Sequence, residues 1–220
     1  MTRQKQRFYF LFLIVLGFFL TSCSSMRKAS TYSEENHITA EASRQLMHYL
    51  NLIPEGSEPG FGFESRDDFA AAETGRAYQL FTLTADFFQA EHQDQQPQIL
   101  AVNEWFVSVG TQAEAHALLT VSKMGDSWRT VSIGNARLAK ELKYYENHHV
   151  LPHEVTAILR IRPLACDVLL VQYSDQKQDE ARAYLLESAR IAMNAYGYEN
   201  SYLSVQEVLL MVREHTRNLQ

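Results

Sequence analysis

The stretch ILAVNEWFVSV at residues 99–109 is followed by AHALLTVS at 115–122 and WRTVSI at 128–133. In the first two stretches apolar and polar residues alternate, which is typical of strands that bury one face. The segment Met124-Gly125-Asp126-Ser127 supplies a tight turn between the second stretch and the third. The three stretches therefore predict an antiparallel meander.

Hydrophobic periodicity predicts further elements on both sides of this meander. Strands are expected at 77–84, 155–162 and 167–173. Helices are expected at 39–52, from Ser65 to Gly75, after Gly134-Asn135, at 178–196, and after Ser204, which forms a capping-box pattern with Glu207. This order predicts an α+β domain, with a largely antiparallel sheet of about five or six strands and helices packed on one face.

The N-terminus has the pattern of an export signal. Three basic residues precede an unbroken apolar run from Phe8 to Leu20, and Cys23 follows two small residues. As a helix this run of 13 residues rises only about 20 Å, whereas a bilayer core of ~30 Å needs about 20 apolar residues. A signal peptide at 1–22, cleaved from the mature protein, is therefore favoured over a membrane span.

This arrangement resembles a bacterial lipoprotein signal, in which the residues up to Cys23 form a lipobox. The resemblance implies a lipid thioether on Cys23, cleavage before it and acylation of the new amino group. Two or more acyl chains hold a protein stably on a membrane. Residues 23–37 are then the lipidated cysteine and a flexible stalk, and 38–220 a single globular domain. The alternative is an ordinary secretory signal or an uncleaved anchor with an incidental cysteine.

In lipoprotein sorting, Asp directly after the lipidated cysteine favours retention in the inner membrane. The residue after Cys23 is Ser24. The resemblance therefore implies an outer-membrane location with the domain facing the periplasm. The segments Asn103-Glu104-Trp105 and 117–121 also resemble uncharacterised secreted lipoproteins, and that likeness implies no particular activity.

Charge and cysteine content limit the partners of the domain. The chain has 20 basic and 26 acidic residues, and removal of the leader leaves 17 basic residues and a net charge of −9. This charge opposes binding to nucleic acid, so an envelope protein or a small molecule is the expected partner. With Cys23 lipidated, Cys166 has no partner for an intramolecular disulfide. No cofactor motif is found, and no cofactor is expected.

Two groups of residues could support catalysis. His148, His149 and His153 form the densest set of potential metal ligands, although Pro152 interrupts a helical spacing, and the alternative is a solvated histidine-rich loop. Cys166 could act as a nucleophile, and the alternative is a packed thiol at the start of a strand.

Two further pairs could bind a ligand. Arg160 and Arg162 fall on one strand face and could hold a carboxylate or phosphate, or could be the solvated side of an edge strand. Phe61 and Phe63 could face a partner, although core packing is the favoured interpretation, as it is for the two tryptophans at 105 and 128.

The favoured function is a lipid-anchored envelope protein whose domain binds or scaffolds a partner and catalyses no reaction. One alternative is an exported hydrolase that uses Cys166 or a metal on His148, His149 and His153. A second alternative is an inhibitor or propeptide-like module for a secreted enzyme.

Overall fold

The computed structural model describes residues 34–89, 99–111, 113–173, 180–199 and 201–217. The predicted signal peptide and Cys23 lie outside this part of the chain. The chain divides into two units, Met1–His37 and Ile38–Gln220, and residues 34–37 are the described part of the first. These four residues are helical, whereas the sequence predicts a flexible stalk up to residue 37. No helix among the described residues is long and apolar enough to cross a bilayer.

The described residues contain five α-helices and eight strands. In chain order they are α1 (34–51), β1 (Glu73–Leu83), α2 (Ala85–Gln89), β2 (Ile99–Gly110), β3 (Ala115–Met124), β4 (Ser127–Gly134), α3 (Ala136–His149), β5 (Glu154–Ile161), β6 (Cys166–Tyr173), β7 (Arg182–Leu185), α4 (Glu187–Ala192), β8 (Leu203–Ser204) and α5 (Val205–Arg217). Short 3₁₀ helices cover Glu58–Phe61, Arg66–Ala71, Arg162–Leu164 and Tyr196–Tyr198.

The strands form one mixed sheet in the order β4-β3-β2-β1-β5-β6-β7-β8. Strands β1 to β4 form one antiparallel meander, and β5 to β8 form a second. The two meanders meet where β1 and β5 run parallel, from Gln79 opposite Ala157 to Thr82 opposite Arg160. The α+β class is confirmed, but the expected five or six antiparallel strands are eight strands in a mixed sheet.

Helices cover both faces of the sheet, and the prediction of one covered face is wrong. Helix α1 packs on a cluster that includes Val107, and α5 on a cluster that includes Leu159. Their chain neighbours Phe106 and Ile158 belong instead to the cluster beneath α3. Successive side chains of a strand point to opposite faces, so α3 lies opposite α1 and α5. Because α3 connects edge strand β4 to central strand β5, it has to cross a face of the sheet.

The predicted helix at 178–196 is wrong. Residues Arg182–Leu185 form β7, which pairs with β6, and of the residues described in this range only Glu187–Ala192 are α-helical. The predicted helix from Ser65 to Gly75 is a 3₁₀ turn with the expected capping box, and Gly75 lies within β1. The meander, the helix after Asn135 and the capping box at Ser204 are confirmed.

Helix α1 covers the edge of the sheet at β4. The N–H of Thr130 donates to Oε1 of Glu41 at 3.4 Å, and the hydroxyl of Tyr49 donates to the Thr130 carbonyl at 2.5 Å. The N–H and C=O groups of an uncovered edge strand can pair with another chain. Two side chains of α1 thus occupy both backbone groups of an edge residue, and the opposite edge is the two-residue strand β8.

The loop before β1 is held against β3. The Nδ1 atom of His116 lies 2.8 Å from the carbonyl oxygen of Gly62. Gly62 has a φ of 87°, and a Cβ there would lie 2.3 Å from the carbonyl oxygen of His116. The position therefore requires glycine both for its backbone conformation and for the close approach of β3.

We expect Gly62→Ala to lower the free energy of unfolding by at least about 3 kcal/mol, because a positive φ costs ~1–2 kcal/mol and the loop must also move away. Gly56→Ala is the matched control, since Gly56 has a φ of 83° and a Cβ added there would meet no other part of the protein within 4 Å. This control should lose only about 1–2 kcal/mol. Urea denaturation of both variants measures the difference, and equal losses would contradict the steric argument.

Candidate functional site

The three candidate metal ligands, His148, His149 and His153, lie beside tyrosine rings. His148 stacks on Tyr144 with ring centroids 4.4 Å apart, and His153 stacks on Tyr173 at 5.3 Å. The ring of His149 contacts Tyr184 at 5.3 Å. Among the residues that the structure describes, no group of three or more His, Cys, Asp or Glu side chains could hold a metal ion.

The Cys166 thiol is buried at the start of β6. Burial, with a smaller effect from the neighbouring Asp167 carboxylate, raises the pKa of Cys166 to about 12. A nucleophilic cysteine needs an accessible thiolate, whereas this thiol stays protonated at neutral pH. The geometry therefore favours the packed-thiol interpretation over a nucleophilic role for Cys166.

The predicted arginine pair does not form on one strand face. Strand β5 ends at Ile161, so Arg162 lies in the following 3₁₀ turn. Arg160 donates from Nε and Nη2 to the two carboxylate oxygens of Asp167, at 2.9 and 3.1 Å. Asp167 faces Arg160 in the β5–β6 register and occupies the donors that a bound anion would need.

The predicted aromatic positions are mainly packing sites. Phe63 is buried and meets Phe69 edge-on at 5.1 Å, so the partner-facing alternative is wrong for Phe63. Phe61 is partly buried against the same cluster. Trp105 is buried and Trp128 is partly buried in this cluster, as expected. The two residues lie on β2 and β4, and β3 lies between these strands.

Three exposed tyrosine rings lie near the C-terminal end of α3, each beside a nitrogen-bearing side chain. The exposed fractions of Tyr144, Tyr173 and Tyr202 are 44%, 39% and 61%. We name this surface the tyrosine platform, and it consists of the pairs Tyr144–His148, Tyr173–His153 and Tyr202–Arg182. In the third pair the guanidinium carbon lies 5.9 Å from the ring centroid.

Contacts between neighbouring rings connect the Tyr144–His148 pair with the Tyr202–Arg182 pair. His149 lies 6.1 Å from Tyr144 and 5.3 Å from Tyr184, between ring centroids. Tyr184 in turn lies 6.1 Å from Tyr202. Tyr173, the third ring of the platform, lies at the end of β6 and pairs with Glu154 of β5. The sheet, α3 and the segment before β8 therefore all contribute to one surface.

A chain of ion pairs and hydrogen bonds supports the platform from beneath. Arg182 donates to Oε1 of the buried Glu154 at 2.6 Å and to the Tyr184 hydroxyl at 3.0 Å. Arg76 donates to the Glu154 carbonyl at 2.9 Å and lies 3.7 Å from the Glu146 carboxylate. These contacts fix the guanidinium of Arg182 in position beside Tyr202.

The rings at the centre of the surface are uncharged at neutral pH. Burial lowers the pKa of His149, and the charges of His148 and Arg182 lower it further. Burial also raises the pKa of Tyr145 and of Tyr184. The positive charge of Arg182 is balanced by Glu154, so this part of the surface is polar without carrying a large net charge.

A cleft of about 240 Å³ opens beside Lys143 of α3, lined mainly by the start of β1, the end of β2 and the start of β3. Glu73, Ser108 and Glu114 are among the residues that line it. Lys143 also lies 3.5 Å from Glu146, which links the cleft to the supporting chain of ion pairs. Among the described residues that line the cleft, no charged side chain is both buried and without a partner. The cleft therefore offers a ligand fewer specific contacts than the platform does.

Comparison with protein-family models, with curated proteins and with solved structures finds no match to this chain.

The Arg182–Glu154 pair can be tested by Arg182→Ala. We expect a loss of about 2–3 kcal/mol in the free energy of unfolding, because a buried carboxylate loses its charged hydrogen-bond partner. Arg137→Ala is the control, since its ion pair with Glu187 is exposed and should contribute little. Guanidinium denaturation compares the two variants, and equal stability would show that solvent already satisfies Glu154.

His149 should make the protein less stable in mild acid. Its pKa in the folded state lies below the ordinary value of 6.5, so the unfolded chain takes up the proton more readily. The contribution of neutral His149 to the free energy of unfolding is fully present above about pH 6.5. It is lost as the pH falls toward the folded-state pKa of His149. We expect His149→Gln to lose less thermal stability than wild type between pH ~7.5 and ~5.5, as measured by calorimetry. Parallel curves would refute this assignment.

Proposed function

We propose that this chain is a lipid-anchored cell-envelope lipoprotein whose domain at 38–220 binds a partner and catalyses no reaction. The anchor is supported by the basic start, the apolar run from Phe8 to Leu20 and the position of Cys23. Ser24 after the cysteine supports an outer-membrane location with the domain facing the periplasm.

The tyrosine platform is the observation that carries the binding function. Tyrosine and arginine are enriched among the residues that contribute most to binding, because they combine a large contact area with polar atoms. The platform rings are already held by His148, His153 and Arg182, so little side-chain freedom would be lost when a partner binds. An exposed and preorganised aromatic surface supports recognition.

The alternative of an exported hydrolase has weaker support. The Cys166 thiol is buried and its pKa is raised to about 12, which leaves almost no thiolate at neutral pH. His148 and His153 are stacked on different tyrosine rings, and the Nδ1 atom of His148 lies 2.7 Å from the Tyr144 carbonyl oxygen. An inhibitor of a secreted enzyme would be one form of the proposed binding function.

Lipidation is tested by Cys23→Ser, with Cys166→Ser as the matched control. We expect the wild-type protein and the control to remain with the membrane fraction, with the mature chain starting at a multiply acylated Cys23. Cys23→Ser should lose the acyl mass and reduce the membrane-bound fraction at least tenfold. Mass spectrometry that finds an unmodified thiol at residue 23, or residues 1–22 still attached, would refute the anchor.

Catalysis is tested separately with the purified full chain. A panel of ester, amide and glycoside substrates is assayed with wild type, Cys166→Ala and His153→Ala, and bound zinc is measured. We expect no turnover that depends on either residue and no stoichiometric metal. Hydrolysis abolished by either substitution would overturn the non-catalytic proposal and leave the anchor untouched.

A further inference from the structure

We infer that the tyrosine platform binds a neutral polysaccharide strand, an inference that rests on the proposed binding function and names its ligand class. A pyranose ring presents C–H groups on its faces and hydroxyl groups around its edge. A surface that recognises it therefore needs aromatic faces for the C–H groups, with hydrogen-bonding groups at their rims.

The platform combines these two features at three positions. Each of Tyr144, Tyr173 and Tyr202 has an exposed aromatic ring with a phenolic hydroxyl at its end. Each ring also has a nitrogen-bearing neighbour, from the pairs Tyr144–His148, Tyr173–His153 and Tyr202–Arg182, that can exchange hydrogen bonds with sugar hydroxyls. Because the motif recurs along one surface, it suits a ligand with repeating units.

Tyr202 is the best-supported ring of the three. It lies directly before Leu203, which is buried, and Ser204, whose N–H and hydroxyl bond to Glu207 at the start of α5. On the side toward the protein, Tyr202 meets the Arg182 guanidinium and the Tyr184 ring. The backbone is thus fixed on one side while 61% of the residue stays exposed, which limits the entropy lost on binding.

Charge favours a neutral polysaccharide over an acidic one. The whole chain has a net charge of −6, and the guanidinium of Arg182 is already paired with Glu154. The lowered pKa of His149 leaves the centre of the surface uncharged at neutral pH. A polyanion such as nucleic acid or an acidic polysaccharide would find little unbalanced positive charge here.

The chemistry of the platform also favours a polysaccharide over a protein. Residues that dominate protein–protein binding lie in well-packed pockets from which the surrounding contacts exclude water. On the platform each exposed ring instead lies beside an imidazole or a guanidinium, so polar atoms are spread across the whole surface. That distribution matches a ligand whose hydroxyl groups are equally spread.

The test measures retention of the detergent-solubilised full chain on chitin and cellulose, two neutral polysaccharides, with immobilised alginate as the acidic polysaccharide. Variants are Tyr202→Ala, Tyr144→Ala, Tyr202→Phe and Leu210→Ala, the last a control at an exposed residue of α5. We expect retention on at least one neutral polymer, with affinity reduced at least tenfold by Tyr202→Ala and several-fold by Tyr144→Ala. Tyr202→Phe should stay within about threefold of wild type and Leu210→Ala should bind normally.

Added salt should have little effect, because stacking is not screened as charge pairing is. Circular dichroism confirms that each variant is folded. The inference is overturned if no neutral polymer retains the protein, if alginate alone binds, or if Tyr202→Ala binds like wild type. A protein partner that requires Tyr202, found by crosslinking in native membranes without polysaccharide binding, would overturn the inference while leaving the proposed function in place.

Discussion

The contact between Arg76 and Glu154 spans the boundary between the two meanders of the sheet. Arg76 lies on β1 and binds the Glu154 carbonyl on β5, while it also pairs with Glu146 on α3. The Glu154 side chain is buried, and a buried carboxylate is stable only when it is paired and hydrogen-bonded. Arg182 and the N–H of Leu151 satisfy its two oxygens. The position of Arg182, and with it the platform, therefore depends on this boundary.

Local sequence patterns correctly predicted the elements whose conformation depends on residues close to them in the chain. The β3–β4 hairpin follows from alternation and from Gly125, which adopts a φ of 61° at the turn, and the start of α5 follows from the Ser204 capping box. Strand β7 could not be predicted in this way. It is four residues long, and the spacing of Leu185 and Ala189 imitates a helix. Its pairing with β6 and the parallel contact of β1 with β5 are tertiary, so no local pattern signals them.

For the candidate site, the sequence singled out His148, His149 and His153, and the structure places each of them against a tyrosine ring. His148 stacks on Tyr144 four residues earlier on α3, a spacing visible in the sequence. Tyr173 and Tyr202 are brought to the same surface by strand pairing and by the chain before β8, which single-sequence reasoning does not give. Asp167 could have been foreseen as the partner of Arg160, because a hairpin around Pro163 places the two residues opposite each other.

The contacts of Glu41 and Tyr49 with β4 have a consequence if the proposed lipid anchor holds the protein on a bilayer. Tethered molecules diffuse in two dimensions with similar orientations, so two exposed strands would meet far more often than in free solution. An uncovered sheet edge under such crowding would favour polymerisation through backbone pairing. Because α1 carries both side chains that occupy the backbone groups of Thr130, the first helix of the described residues also hinders neighbouring copies from joining their sheets at this position.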